Sequence, residues 1–76
     1  MKAYILITIT TGKVEQVVEH LQRVDGVLEG NMAFGPYDAV AVVEAEDINA
    51  LGKIITGRIQ PIPGVLDTLT CLVVDN

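Results

Sequence analysis

Two stretches of this chain share one pattern, VDGVLEG at positions 24–30 and IPGVLDT at positions 62–68. The second stretch starts 38 residues after the first (position 24 to position 62), which is half the chain length of 76 residues. Each stretch has a β-branched apolar residue, a glycine suited to a turn, a Val-Leu pair and an acidic residue. The repeat therefore predicts two copies of one structural unit, in which a helix ends at a glycine turn and a strand follows.

The periodicity on either side of the repeat predicts the elements of that unit. Residues 2–10 alternate like a half-buried strand, and residues 14–21 have the apolar spacing of an amphipathic helix. We predict Thr11 or Gly12 as the N-cap of this first helix, and Asp47 as the N-cap of a second helix that ends at Pro61. The apolar stripe of the second helix is Ile48, Leu51, Ile55 and Ile59. The remaining predicted strands are 27–34, 39–45 and 65–74, with a turn at 35–38.

The resulting order βαββαβ predicts an α+β, ferredoxin-like sandwich. Right-handed crossovers place both helices on one face of a four-stranded antiparallel sheet, with the first and third strands in its centre. A chain of this mass buries only about 60% of its surface on folding, yet half of its residues are hydrophobic. We therefore predict that the sheet face without helices pairs with a second copy of the chain.

Composition excludes several classes of protein. The net charge of −5, with ten acidic residues against five basic ones, disfavours direct binding to nucleic acid, because phosphate backbones repel it. The single cysteine excludes an intramolecular disulfide and any multi-cysteine zinc site. No segment approaches the roughly 18 continuous apolar residues of a membrane span. We predict a cytoplasmic protein without a membrane partner.

The residue types that usually carry catalysis have structural interpretations here. His20 lies away from the apolar stripe of the first helix and is predicted to be solvated. Cys71 lies in an apolar strand and is predicted to be a packed small hydrophobe, because a nucleophilic thiol needs an electropositive setting. Glu44, Glu46 and Asp47 fit a solvated strand end and a helix cap. The sequence thus indicates no catalytic residue, no metal site and no cofactor.

Two features allow a binding interpretation beside a structural one. Gly35-Pro36-Tyr37-Asp38 is either a hairpin turn with an exposed aspartate or part of a site. Thr68 and Thr70 are either strand formers on a half-exposed face or a pair of hydroxyls that point the same way. Together, an acidic turn residue and two hydroxyls suit the ammonium and carboxylate of an amino acid.

In the order and spacing of its motifs, the chain resembles the effector-binding RAM domain of the Lrp/AsnC, or feast/famine, transcription regulators. The resemblance covers essentially the whole chain. It rests on the opening strand 3–7, Thr11-Gly12-Lys13-Val14, Gly26-Val27-Leu28-Glu29, Gly35-Pro36-Tyr37-Asp38, Pro63-Gly64-Val65 and Thr68-x-Thr70.

The resemblance implies an assembly and a binding site. Such domains pair through their sheets in a dimeric α/β-barrel arrangement, and the dimers form octameric or decameric rings with an amino-acid effector between them. The residues carried over to the effector site are Gly35, Tyr37, Asp38, Thr68 and Thr70. Pro36 has no N–H, so this position of the turn cannot donate to an effector.

One departure concerns domain organisation. Full-length members of the family carry a helix-turn-helix domain before this one, whereas the first predicted strand here begins at Lys2. We therefore expect residues 1–76 to form a single RAM-like domain that acts as a stand-alone module, with co-assembly with full-length regulators as one form of partnership. Three alternatives remain: a small enzyme of the dimeric α/β-barrel type, an ACT-like regulatory domain, and a purely structural assembly unit.

Overall fold

The secondary-structure elements follow the predicted order in a computed structural model, which describes residues 1–74. They are β1 (Lys2–Ile9), α1 (Val14–Leu21), β2 (Val27–Met32), β3 (Ala39–Glu44), α2 (Ile48–Ile54), a π-helical turn (Ile55–Ile59) and β4 (Val65–Leu72). The α+β class and the βαββαβ order are therefore confirmed.

The four strands form one antiparallel sheet in the order β2-β3-β1-β4, which confirms β1 and β3 as its central strands. Strands β2, β3 and β4 end earlier than predicted. After β2, the Ala33 N–H donates to the Asp38 carbonyl at 3.0 Å and closes a turn, so Phe34 leaves the sheet. Strand β3 ends just before Ala45, whose N–H donates to the Met1 carbonyl, and β4 ends just before Val73, whose N–H donates to the Lys2 carbonyl. Both strands therefore end where their common partner β1 begins.

The core reproduces the repeat seen in the sequence. Equivalent positions of the two halves are buried: Val17 with Ile55, Leu21 with Ile59, and Val24 with Ile62. The inward side chains of β1 and β3 complete the core, and each buried isoleucine or leucine contributes about 1.5–3 kcal/mol. The glycines of the repeat match as well, because Gly26 (φ +95°) and Gly64 (φ +105°) both turn the chain in the left-handed region.

The two helices begin differently. Asp47 caps α2 as predicted, its Oδ1 accepting from the Ala50 N–H at 2.8 Å. The predicted cap of α1 is wrong, because Lys13 occupies that position without a side-chain bond. Thr11 and Gly12 instead form the turn before it, where Gly12 has φ +86°.

The second helical segment buries three of the four residues predicted for its apolar stripe. Ile48 is exposed, whereas Leu51, Ile55 and Ile59 are buried as predicted. Ile54 packs against the core from a half-buried position.

Both helices of residues 1–74 lie on the sheet face that carries the buried side chains Ala3, Ile5 and Ile7. The opposite face, called here the open face, carries Tyr4, Leu6, Thr8, Val40, Val42, Leu69 and Cys71, together with the polar residues Lys2, Glu29, Asn31, Glu44 and Asp67. The packed position predicted for Cys71 is wrong, because Cys71 is exposed on this face of an edge strand. His20 is exposed, as predicted. Within residues 1–74, the helices are too short or too polar to cross a bilayer.

Candidate functional site

Asp38 is tied to β1 rather than projecting into solvent. Its N–H donates to the Ile7 carbonyl at 2.9 Å, and its Oδ2 accepts from the Ile9 N–H at 2.7 Å. The side chain is half-buried, so the expectation of an exposed turn aspartate is wrong. Because a carboxylate has about four acceptor positions, the bond to Ile9 leaves most of them for a ligand.

Asp38 lines an apolar cleft of about 340 Å³. Its other lining residues are Val14 from the start of α1, Met32 from the end of β2, and Ala33 and Phe34 from the turn. Met32 is 62% exposed and Phe34 is fully exposed. The cleft thus combines one negative charge with apolar walls, which suits a ligand that has both a cation and an apolar group.

The other predicted residues of the turn, Gly35 and Tyr37, are not among the residues that line the cleft. Gly35 is exposed and has φ +142°, a backbone conformation that side chains with a Cβ rarely adopt. Tyr37 is half-buried, next to Asp38.

Thr68 and Thr70 lie on β4, opposite Ile7 and Ile5 of β1. Their side chains share the helix-covered face of the sheet, as the two-residue spacing predicts. Thr68 is half-buried and Thr70 is exposed. The Gln60 amide Nε2 donates to the Thr68 hydroxyl at 3.0 Å.

A second, more polar cleft of about 250 Å³ surrounds Thr68. Gln60, Val65, Leu66 and Asp67 line it together with Thr68. The Thr68 N–H donates to the Asp67 Oδ1 at 2.9 Å, so this carboxylate is already bonded to the backbone. The cleft offers a hydroxyl and a primary amide as neutral hydrogen-bonding groups.

The two clefts do not meet within one chain. Ala39, which follows Asp38, and Thr68 both pair with Ile7, one from each side. Two strand spacings separate them, which is about 10 Å. The side chains of Ile7 and Ile9 are buried between them. The predicted effector residues therefore fall into two groups, called here half-sites, with Asp38 and the turn in one and the two threonines in the other.

Sequence reasoning missed two kinds of residue at these half-sites. Phe34 is the only phenylalanine of the chain and directly precedes the turn, a signal that the assignment of residues 27–34 to a strand obscured. Gln60 directly precedes Pro61 at a helix end, and its neighbour Thr68 is eight residues away in sequence. The contact depends on the π-helical turn, which the apolar pattern does not reveal.

Comparison with known proteins gives a consistent family. The family model of the Lrp/AsnC ligand-binding domain matches residues 2–76. The HTH-type transcriptional regulator Ptr1 of Methanocaldococcus jannaschii is 35% identical over 57 residues, which are 75% of this chain. The match spans only 38% of the length of Ptr1.

Solved structures share the fold. The structure of TTHA0845 from Thermus thermophilus is 31% identical, has a TM-score of 0.93, and aligns over 99% of this chain and 94% of its own. The complex of transcriptional regulator NMB0573 with L-Met, from Neisseria meningitidis, is 18% identical with a TM-score of 0.86 over 97% of this chain and 49% of its own. At that identity the second likeness concerns the fold alone.

Proposed function

Because the chain belongs to the family of Lrp/AsnC ligand-binding domains, we propose that it is a regulatory module that binds a free amino acid between copies of itself. It performs no catalysis in this proposal. One relative is a transcriptional regulator. In this proposal the chain passes on effector binding through assembly, either with further copies of itself or with full-length regulators. The acidic net charge of −5 leaves contact with DNA to such partners. The module acts in the cytoplasm.

The observation that carries the proposal is that Asp38 is the one acidic residue lining an otherwise apolar cleft. A carboxylate and an ammonium form a charge-assisted hydrogen bond, which is stronger than a neutral one. The walls formed by Val14, Met32 and Phe34 suit an apolar side chain of the same ligand. A protein of the same fold binds L-Met, an amino acid with these two properties.

The separation of the two half-sites supports a site between copies. The ammonium and carboxylate of an amino acid are attached to one carbon atom, whereas the buried Ile7 and Ile9 side chains separate Asp38 from Thr68. An effector held at Asp38 therefore takes its carboxylate contacts from the Thr68 and Thr70 hydroxyls of a neighbouring copy. In this arrangement effector binding and ring assembly depend on each other.

Calorimetric titration with each of the twenty amino acids tests the proposal. We expect one or a few apolar amino acids to bind, and Asp38→Asn to weaken that binding by about 1.5–3 kcal/mol, roughly 10- to 150-fold. The fold should persist, because the amide oxygen of asparagine can still accept from the Ile9 N–H.

Glu46→Gln is the matched control, since it removes one negative charge from an exposed position between β3 and α2. It should leave the affinity unchanged. Equal affinities of the wild type and Asp38→Asn would contradict the assignment of Asp38 to the ammonium. No binding by the wild type at millimolar concentration would contradict the proposed function and favour a structural assembly unit.

A further inference from the structure

We propose that Gln60 is a positioning residue that makes the Thr68 hydroxyl a hydrogen-bond donor to the carboxylate of the effector. This inference rests on the proposed function, and it assigns one end of the effector to the polar cleft around Thr68. Gln60 acts through Thr68. This role gives a reason for the contact between the Gln60 amide, at the end of the second helical segment, and the sheet.

In the bond between the two side chains, the amide is the donor and the hydroxyl is the acceptor. The Gln60 Nε2 donates to the Thr68 Oγ1 at 3.0 Å, so the hydroxyl accepts one hydrogen bond from the amide. A hydroxyl has one O–H and two lone pairs, and an accepted bond leaves its own hydrogen for another partner. An accepted bond also polarises the hydroxyl and strengthens the bond that it donates.

The neighbouring Asp67 carries a negative charge that opposes a ligand carboxylate, so the donors of this cleft must face the ligand. Its carboxylate is an acceptor and lines the same cleft, with Oδ1 bonded to the Thr68 N–H at 2.9 Å. A Thr68 hydroxyl turned toward an acceptor on Gln60 would have no hydrogen left for a ligand carboxylate. With the amide as donor, the cleft offers the Thr68 O–H and the second hydrogen of the Gln60 NH₂ group.

The backbone holds Gln60 in place. The Gln60 N–H donates to the carbonyl of Ile55, five residues earlier, at 2.8 Å, and closes the π-helical turn. Ile55 and Ile59 are both buried, so the turn is fixed to the core. Single π-helical turns occur frequently at functional sites, and this one places the Gln60 amide over β4.

The test compares an amino acid with its carboxamide, which lacks the negative charge. The probes are L-methionine and L-methioninamide, replaced by the corresponding pair if another amino acid binds the wild type more tightly. Gln60→Glu exchanges the donor for a charged acceptor. We expect it to weaken binding of the acid by roughly 10- to 150-fold and of the amide by less than about threefold.

A second variant and a control complete the experiment. Gln60→Met removes the donor without adding a charge and should weaken binding of the acid about 2- to 13-fold, again with the amide little affected. Gln22 also donates its Nε2 to the sheet, at 3.0 Å to the Gly30 carbonyl. Because that bond is remote from Thr68, Gln22→Glu should leave both affinities unchanged.

Each outcome separates the inference from the proposed function. If the wild type binds amino acids and the Gln60 variants lose acid and amide equally, or lose neither, the inference is wrong and the proposed function stands. Tighter binding by Gln60→Glu would place the ammonium at Thr68 and would also overturn the inference. Absence of binding by the wild type overturns the proposed function, and the inference with it.

Discussion

At the residue scale, Gly26 combines two requirements that an alanine cannot meet. It has φ +95°, and a Cβ added there would lie 2.6 Å from the Ile54 Cδ1. We expect Gly26→Ala to lower the free energy of unfolding by about 2–3 kcal/mol, because left-handed strain costs about 1–2 kcal/mol and a shift of the Ile54 side-chain end adds about 1 kcal/mol. Gly12→Ala is the control, because Gly12 has φ +86° but a Cβ added there would meet no neighbouring atom within 4 Å. It should cost about 1–2 kcal/mol.

Urea denaturation of the two variants measures the difference. Equal losses for Gly26→Ala and Gly12→Ala would mean that the Ile54 side chain moves away without cost, and that backbone strain alone keeps glycine at position 26.

The same scale shows what a sequence can and cannot reveal about single residues. The turn role of Gly26 and Gly64 was predictable, because glycine acts there through its own backbone. The bond from the Ile9 N–H to Asp38 joins residues 29 positions apart and depends on how the turn after β2 is placed against β1. The composition of the turn therefore predicted an exposed aspartate, whereas the tertiary fold half-buries it.

At the scale of elements, the two helices differ in how their first turns are closed. Asp47 caps α2 through the Ala50 N–H, so Asp47→Ala should lower the free energy of unfolding by about 0.5–2 kcal/mol. Asp47→Asn keeps an oxygen acceptor at this position and should cost much less. Thermal or urea unfolding of both variants provides the measurement. If Asp47→Ala and Asp47→Asn lower the free energy of unfolding equally, the negative charge near the helix start stabilises α2 and the hydrogen bond to Ala50 does not.

Element types were predictable where the period of the apolar residues is unique. The alternation in β1 fits only a strand, and the spacing in α1 fits only a helix. The stripe Leu51, Ile55, Ile59 has a spacing of four, which fits an α-helix and a π-helical turn equally well. For this reason the sequence predicted one helix up to Pro61, and the contact of Gln60 with Thr68 was not foreseen.

At the scale of the whole molecule, the sheet order followed from the handedness of the crossovers, since only one arrangement places both helices on one face. The proposed binding site did not follow, because its two predicted parts lie on either side of β1 and, in the proposal, meet only between copies. The open face is a place for two copies to pair, and because both half-sites lie on the helix-covered side, they meet only when such pairs assemble further. Tyr4 and Leu69 on the open face are each more than two-fifths exposed, in a chain with few aromatic residues.

A charge on the open face should therefore separate the copies and remove effector binding together. Leu69 lies on this face and is 49% exposed, so Leu69→Glu lowers the free energy of unfolding of one chain only slightly. When two open faces pair, however, the new charge is buried, which disfavours pairing. We expect light scattering at micromolar concentration to give an oligomer for the wild type and a folded monomer for Leu69→Glu. Ile48→Glu is the control, because Ile48 is 52% exposed at the start of α2, away from the sheet.

The effector titration on the same variants links assembly to binding. Leu69 points away from Thr68 and Thr70, which lie on the opposite face of β4, so its replacement leaves the residues of both half-sites unchanged. If copies complete the site, Leu69→Glu loses affinity because it no longer assembles, whereas Ile48→Glu keeps both assembly and affinity. A monomeric Leu69→Glu that binds the effector as tightly as the wild type would show that one chain holds the whole site. The separation of the two half-sites by Ile7 and Ile9 would then have to be overcome by movement of β1 or of the turn.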